Sequence, residues 1–94
     1  MTLLWSASAR AEMRAAFAFI ARENPTAARR VLGAIRAAAS KLVLFPMLGR
    51  PGRVAGSREL VIARTPYVAA YCVRGDAVVI VHVFHGARQW PTEL

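Results

Sequence analysis

The sequence predicts an α+β fold: an N-terminal strand, an antiparallel helix hairpin, then a three-strand antiparallel meander, in the order β-α-α-β-β-β. Three observations carry this. Apolar residues recur at helical spacing from Met13 to Leu42, interrupted only at Asn24-Pro25. Beyond Gly56 they gather instead into strand-length blocks separated by turn residues. A chain of 94 residues fits one domain, taken as 1–94, with one modest core. Helices that must bury one stripe, followed by strands that must bury one face, pack as a hairpin against a sheet.

Each element has its own grounds. Leu3, Leu4 and Trp5 form a short apolar run suited to a first strand. Ser6 or Ser8 can cap the helix that follows, because a serine oxygen accepts from an otherwise unpaired backbone N–H. Met13, Ala16, Phe17, Ile20 and Ala21 build its buried stripe, with Arg10, Arg14 and Arg22 mostly outside it. Pro25 disfavours helix in Asn24 yet suits a first helical position, so Asn24-Pro25 ends one helix and opens the next. Ala28, Val31, Leu32, Ile35, Ala39 and Leu42 continue the stripe, flanked by Arg29, Arg30 and Arg36, until Phe45-Pro46 stops it. Gly49, Pro51, Gly52 and Gly56 make Met47 to Gly56 a loop. Strands follow over Arg58 to Ala63, Tyr67 to Val73 and Ala77 to His85, broken by Thr65-Pro66 and by a Gly75-Asp76 hairpin turn.

The last two strands are apolar on both faces. Strict alternation sets Val79, Val81 and Val83 against Val78, Ile80 and Phe84, and Tyr67, Ala69 and Tyr71 against Val68, Ala70 and Cys72. Two helices cover one face only. The other calls for a partner, a loop or the chain's own tail, in which Trp90 is an apolar anchor.

Composition narrows the function. The chain is 56% hydrophobic and 19% charged, which excludes disorder. The longest stretch without Lys, Arg, Asp or Glu runs from Ala77 to Ala87, well short of the ~20 residues a bilayer needs. The first basic residue is Arg10, so no charged n-region of a signal peptide is expected. Cys72 is the one cysteine, which excludes an internal disulfide and suits a reducing compartment. The expected location is the cytoplasm, with no membrane association. Thirteen Lys and Arg against five Asp and Glu give a net charge of +8, a field that favours nucleic acid or an acidic protein segment. Lys41 is the one lysine. Arginine forks bind phosphate and carboxylate bidentately, although an arginine bias also follows from a GC-rich genome.

Several motifs fall away on inspection. Gly49-Arg50-Pro51-Gly52-Arg53 is no P-loop, since Val54 stands where the second glycine is required. Arg50 and Arg53 remain candidates for an anion-contact loop. His82 and His85 are three apart on a strand and face opposite sides, so no metal and no cofactor is expected. Arg74-Gly75-Asp76 is explained by its hairpin turn. His85 beside Arg88 could combine a titratable group with a cation.

From Trp5 onward the sequence resembles the RelE/ParE toxin superfamily. The carrying segments are Ile20 to Pro25 (IARENP), Phe45 to Arg53 (FPMLGRPGR), Ser57 to Ile62 (SRELVI), Thr65 to Tyr71 (TPYVAAY) and Val81 to Pro91 (VHVFHGARQWP). The resemblance implies a plasmid-stabilising toxin of a type II toxin–antitoxin system. A cognate acidic antitoxin from the adjacent gene silences it, in a hetero-oligomer where the antitoxin tail wraps over helices and sheet.

The superfamily divides by target. RelE-like members cut messenger RNA on the ribosome, and ParE-like members poison DNA gyrase. RNA cleavage requires a base for the 2′-hydroxyl, cations for the phosphorane and an acid for the leaving oxygen. The RelE-like ribonucleases carry Arg after the first Tyr of a Y-R-L-V-Y segment, where this chain has Val68. The late VFHGAR segment is similar to the V-L-H-x-x-R pattern of ParE-like toxins. The resemblance therefore favours gyrase, without separating it from topoisomerase IV. A gyrase poison is not an enzyme, and Arg58, Arg88 and Trp90 are its candidate target-binding residues. The alternative is a ribosome-dependent ribonuclease using His85 as acid/base with Arg64 and Arg88 on the phosphate. A second alternative is a non-toxic binding module or decayed toxin.

Overall fold

A computed structural model of the chain describes residues 1–87. Strand β1 (Thr2–Trp5) leads into helices α1 (Ala7–Ala21) and α2 (Pro25–Lys41), followed by β2 (Arg50–Pro51), β3 (Arg58–Val61), β4 (Tyr67–Arg74) and β5 (Ala77–His85). The strands form one mixed sheet in the order β1-β5-β4-β3-β2, parallel between β1 and β5 and antiparallel elsewhere. The architecture is α+β with the expected elements in the expected order and one added short strand, β2.

Helix boundaries follow from caps. Ser6, not Ser8, opens α1: its hydroxyl accepts from Ala9 N–H at 2.9 Å and donates to the Val81 carbonyl at 2.7 Å. One side chain thus starts the helix and fastens it to β5. The Asn24 carboxamide accepts from Ala27 N–H at 3.0 Å ahead of Pro25. Helix α2 ends at Lys41, four residues before the expected Phe45-Pro46 stop, because the bonding tightens there to three-residue spacing: Leu42, Val43 and Leu44 N–H donate to the Ala39, Ser40 and Lys41 carbonyls.

Both helices lie on one face of the sheet. Met13 of α1 and Val31, Ile35, Ala39 and the capping Leu42 of α2 pack with Tyr67, Ala69 and Tyr71 of β4 and with Val78, Ile80 and Val83 of β5. Here the expected alternation in β5 needs correction. Ala70 pairs with His82 but Tyr71 pairs with Ile80, so Val81 is an extra residue and the phase inverts across it. Val83 therefore joins Val78 and Ile80 in the core, not Val79 and Val81. On the opposite face Val68, Ala70 and Cys72 are also buried, while Leu4 and Val61 at its flanks are 48% and 56% exposed.

Two further differences concern the strands. The expected loop contains a two-residue strand, β2, because Arg50 and Pro51 pair with Glu59 and Arg58. Strand β3 stops at Val61 instead of Ala63, where Arg64 takes a left-handed conformation (φ 63°) and Ile62 closes a turn with Tyr67. At the β4–β5 hairpin Gly75 supplies the positive φ (57°) that a two-residue turn with glycine first requires.

Strand β1 ends opposite Ile80, and β5 runs five residues further. An open strand edge invites unwanted pairing. Helix α1 closes it: Ser6 N–H reaches the Ile80 carbonyl, and Glu12 accepts from Val83 N–H at 2.9 Å and from His82 Nδ1 at 3.1 Å. Replacing Glu12 with Ala strands the Val83 N–H and should cost about 1–2 kcal/mol, whereas Gln retains an acceptor and should cost less. Thermal unfolding of the two variants measures the difference.

Candidate functional site

Three regions carry the chemistry. The first is a groove of 580 Å³ between the helix hairpin and β1. Trp5, Met13, Phe17 and Leu32 line its floor, and Arg10, Arg14 and Arg36 its rim. Arg10 and Arg14 lie one turn apart on α1, so they share a face. None of the groove-lining residues is acidic. An apolar trough with a cationic border fits an amphipathic segment bearing carboxylates.

The second region is the turn between α2 and β3, which holds the candidate anion-contact loop. Glu59 is only 6% exposed. It accepts from the backbone N–H of Arg53 at 3.0 Å and from Arg50 Nη2 at 3.4 Å. The Arg50 guanidinium and the Arg53 backbone N–H therefore hold a carboxylate of the chain itself. Arg58, a candidate for target binding, donates through Nη1 to the Gly49 carbonyl at 2.6 Å and to the Met47 carbonyl at 3.4 Å. It clasps the same turn.

Tyr71 anchors that turn from beneath. Its hydroxyl donates to the Pro46 carbonyl at 2.7 Å and accepts from Gly49 N–H at 2.8 Å. Gly49 is required for this approach, since a Cβ there would sit 2.7 Å from the Tyr71 ring and 2.9 Å from the Glu59 carbonyl. Above the anchor Leu44, Phe45, Met47 and Leu48 are 76%, 61%, 68% and 52% exposed. The sequence marks this stretch only as a helix stop and loop.

The third region is the end of β5. The His85 ring meets the Tyr67 ring edge-on, with centroids 5.7 Å apart, and its Nδ1 accepts from Ala87 N–H at 3.2 Å. His85 stands opposite Tyr67 and His82 opposite Ala70, so the two histidines occupy opposite faces. Arg64 is exposed, and its carbonyl accepts from Arg30 at 3.4 Å. Val68 is buried at 5% exposure. Arg88 and Trp90 lie outside the described residues. Among the described residues no three His, Cys, Asp or Glu side chains gather to hold a metal ion, and no helix is long and apolar enough to cross a membrane.

Comparison with known proteins places this architecture. A solved structure of a chromosomal ParDE toxin–antitoxin system from P. aeruginosa superposes with a TM-score of 0.80 at 27% identity, over 90% of this chain and 95% of the other. A protein described as a toxin, Y4kP of Sinorhizobium fredii, is 43% identical over 77 residues, covering 82% of this chain and 79% of the relative. Toxin RelE2 of Caulobacter vibrioides is 36% identical over 86 residues, covering 92% and 96%. The helix hairpin on a mixed sheet is thus that of a RelE/ParE-superfamily toxin, of ParE-like type. Residues 3–90 match the family described as ParE toxin of type II toxin-antitoxin system, parDE, and the chain belongs to that family. Membership implies an antitoxin partner.

Proposed function

We propose that the chain is a cytoplasmic toxin that poisons DNA gyrase, trapping the enzyme on cleaved DNA, and that an acidic antitoxin silences it. The observation that carries the choice of target is at Val68. Where the RelE-like ribonucleases place an arginine, this chain has a buried valine that can neither reach a phosphate nor neutralise it. The loss of one preorganised cation of this kind costs roughly 10²–10³ in rate. His85, the remaining acid/base candidate, is packed against Tyr67 and holds Ala87 N–H on one ring nitrogen. The antitoxin reading rests on the groove: four apolar side chains between three arginines offer a receptor for an acidic amphipathic tail.

Purified gyrase, supercoiled plasmid and this protein should together accumulate linear DNA, and His85→Ala should leave that accumulation intact. Cuts in ribosome-bound message that vanish in His85→Ala would establish the ribonuclease reading instead. Paired Arg10→Glu and Arg14→Glu substitutions should weaken binding of the acidic protein encoded next to this one by about 10- to 100-fold. Calorimetric titration reads this arm, and an unchanged affinity removes the groove from the antitoxin interface.

A further inference from the structure

We infer that the exposed turn Leu44–Leu48 is the surface that seats this toxin in its topoisomerase target, as a hydrophobic knuckle inserted into an apolar pocket with an anionic border. The inference rests on the gyrase reading proposed above, and it assigns the target contact to a place other than the antitoxin groove.

Four large apolar side chains, Leu44, Phe45, Met47 and Leu48, crowd into five residues and each is more than half exposed. An apolar cluster left in water at a cost marks an interaction site far more often than scattered exposed leucines do. This cluster is also rigidly held. Phe45 N–H bonds to the Lys41 carbonyl, Leu48 N–H to the Phe45 carbonyl, and the buried Tyr71 hydroxyl ties Pro46 to Gly49. Arg58 clasps the Met47 and Gly49 carbonyls. A turn fixed at so many backbone atoms has little backbone entropy left to lose on binding.

Charge selects the occupant. Around the knuckle Lys41, Arg50, Arg53 and Arg58 stand against a single carboxylate, Glu59, which already meets Arg50 at 3.4 Å, so the net charge beside the turn stays positive. A second copy of this chain brings the same +8 charge and is repelled. A fluid bilayer would bury the same apolar side chains, but it has no fixed shape for a pinned turn to match. Base stacking needs aromatic rings, and of the four side chains only Phe45 has one. A folded protein pocket rimmed by carboxylates, or by the phosphates of DNA that the protein already holds, satisfies shape and charge together.

The test uses gyrase holoenzyme bound to a DNA fragment, with the intact toxin and a variant carrying Leu44→Ser, Phe45→Ser and Met47→Ser. The three side chains are exposed, so the variant should keep its melting temperature to within about 4 °C. It should bind gyrase at least about 30-fold more weakly, the loss expected of a hot-spot cluster, and bind the antitoxin with unchanged affinity. A single Phe45→Leu replacement, which keeps the site apolar, should retain most of the binding. Should the triple variant bind gyrase as the intact toxin does, the knuckle is not the contact and the inference is overturned while the gyrase reading stands. Should the intact toxin itself not bind, both fall. Loss of antitoxin binding in the triple variant, a dimer of the intact toxin that these substitutions dissociate, or knuckle-dependent binding to phosphatidylglycerol vesicles exceeding that to gyrase would each assign the turn to another occupant and overturn the inference.

Discussion

Replacing Tyr71 with Phe should lower the melting temperature by roughly 10–25 °C, a loss out of proportion to one oxygen atom. The hydroxyl serves two backbone groups at once, the Pro46 carbonyl and the Gly49 N–H. Its removal leaves the buried Gly49 N–H without a partner and the half-buried Pro46 carbonyl with at best a water. An unsatisfied buried group costs about 1–3 kcal/mol, and the two together about 2–4 kcal/mol. Against a total stability of about 5–15 kcal/mol for a domain, that is a large share. The Phe ring fills the same space, so no cavity contributes and the effect isolates the two hydrogen bonds. Limited proteolysis adds a second reading: cleavage between Leu44 and Arg50 should accelerate while the helices stay protected. If Tyr71→Phe melts within 3 °C of the parent, about the effect of an ordinary surface change, the turn is held by something other than this hydroxyl.

How much of this was legible beforehand depends on the kind of interaction. The caps were readable because a cap is a local matter: Asn24-Pro25 can do little else, and Ser6 lies within reach of its helix. The helix hairpin and the order of the long strands followed from periodicity. The bulge at Val81 did not. Residues Val78 to Phe84 are apolar at every position but His82, so either phase of the alternation buries valines equally well, and only pairing with β4 settles which. Strand β2 was hidden for a related reason, since Arg50-Pro51 has no strand pattern and is extended only because Glu59 and Arg58 lie beside it.

The candidate sites divide in the same way. Arg10, Arg14 and Arg36 read as solvated flanks of two helices, and it takes the fold to bring Trp5 and Leu32 between them. The arginines of the turn read as an anion site, and the structure supplies an anion from within the chain. Glu59 gave no advance notice of burial, because a single glutamate in a short strand is most simply drawn facing water. The signal available for the exposed turn was the run of seven apolar residues from Leu42 to Leu48, with no polar residue among them. Such a run in a turn has either to fold inward or to meet a partner.

Glu59→Ala tests what the internal carboxylate contributes. Two effects oppose each other. Breaking an ion pair with both partners buried costs about 3–5 kcal/mol, because a charge is left behind uncompensated. Here Arg50 is 56% exposed and water can solvate it once Glu59 is gone, which puts that part at the level of a surface pair, about 0–1 kcal/mol. The Arg53 N–H loses a charge-assisted acceptor worth about 1.5–3 kcal/mol, and this bond dominates. The expected loss is therefore about 2–3 kcal/mol, most of it insensitive to salt. Glu59→Gln keeps an oxygen for Arg53 N–H while removing the charge, so it should recover more than half of the loss. Chemical denaturation at low and at high ionic strength separates the two contributions. If Gln proves as damaging as Ala, and the damage fades at high salt, then the Arg50 pair and not the backbone bond holds the turn. In that case charge holds the Arg50 guanidinium in place, and an external phosphate could compete for it.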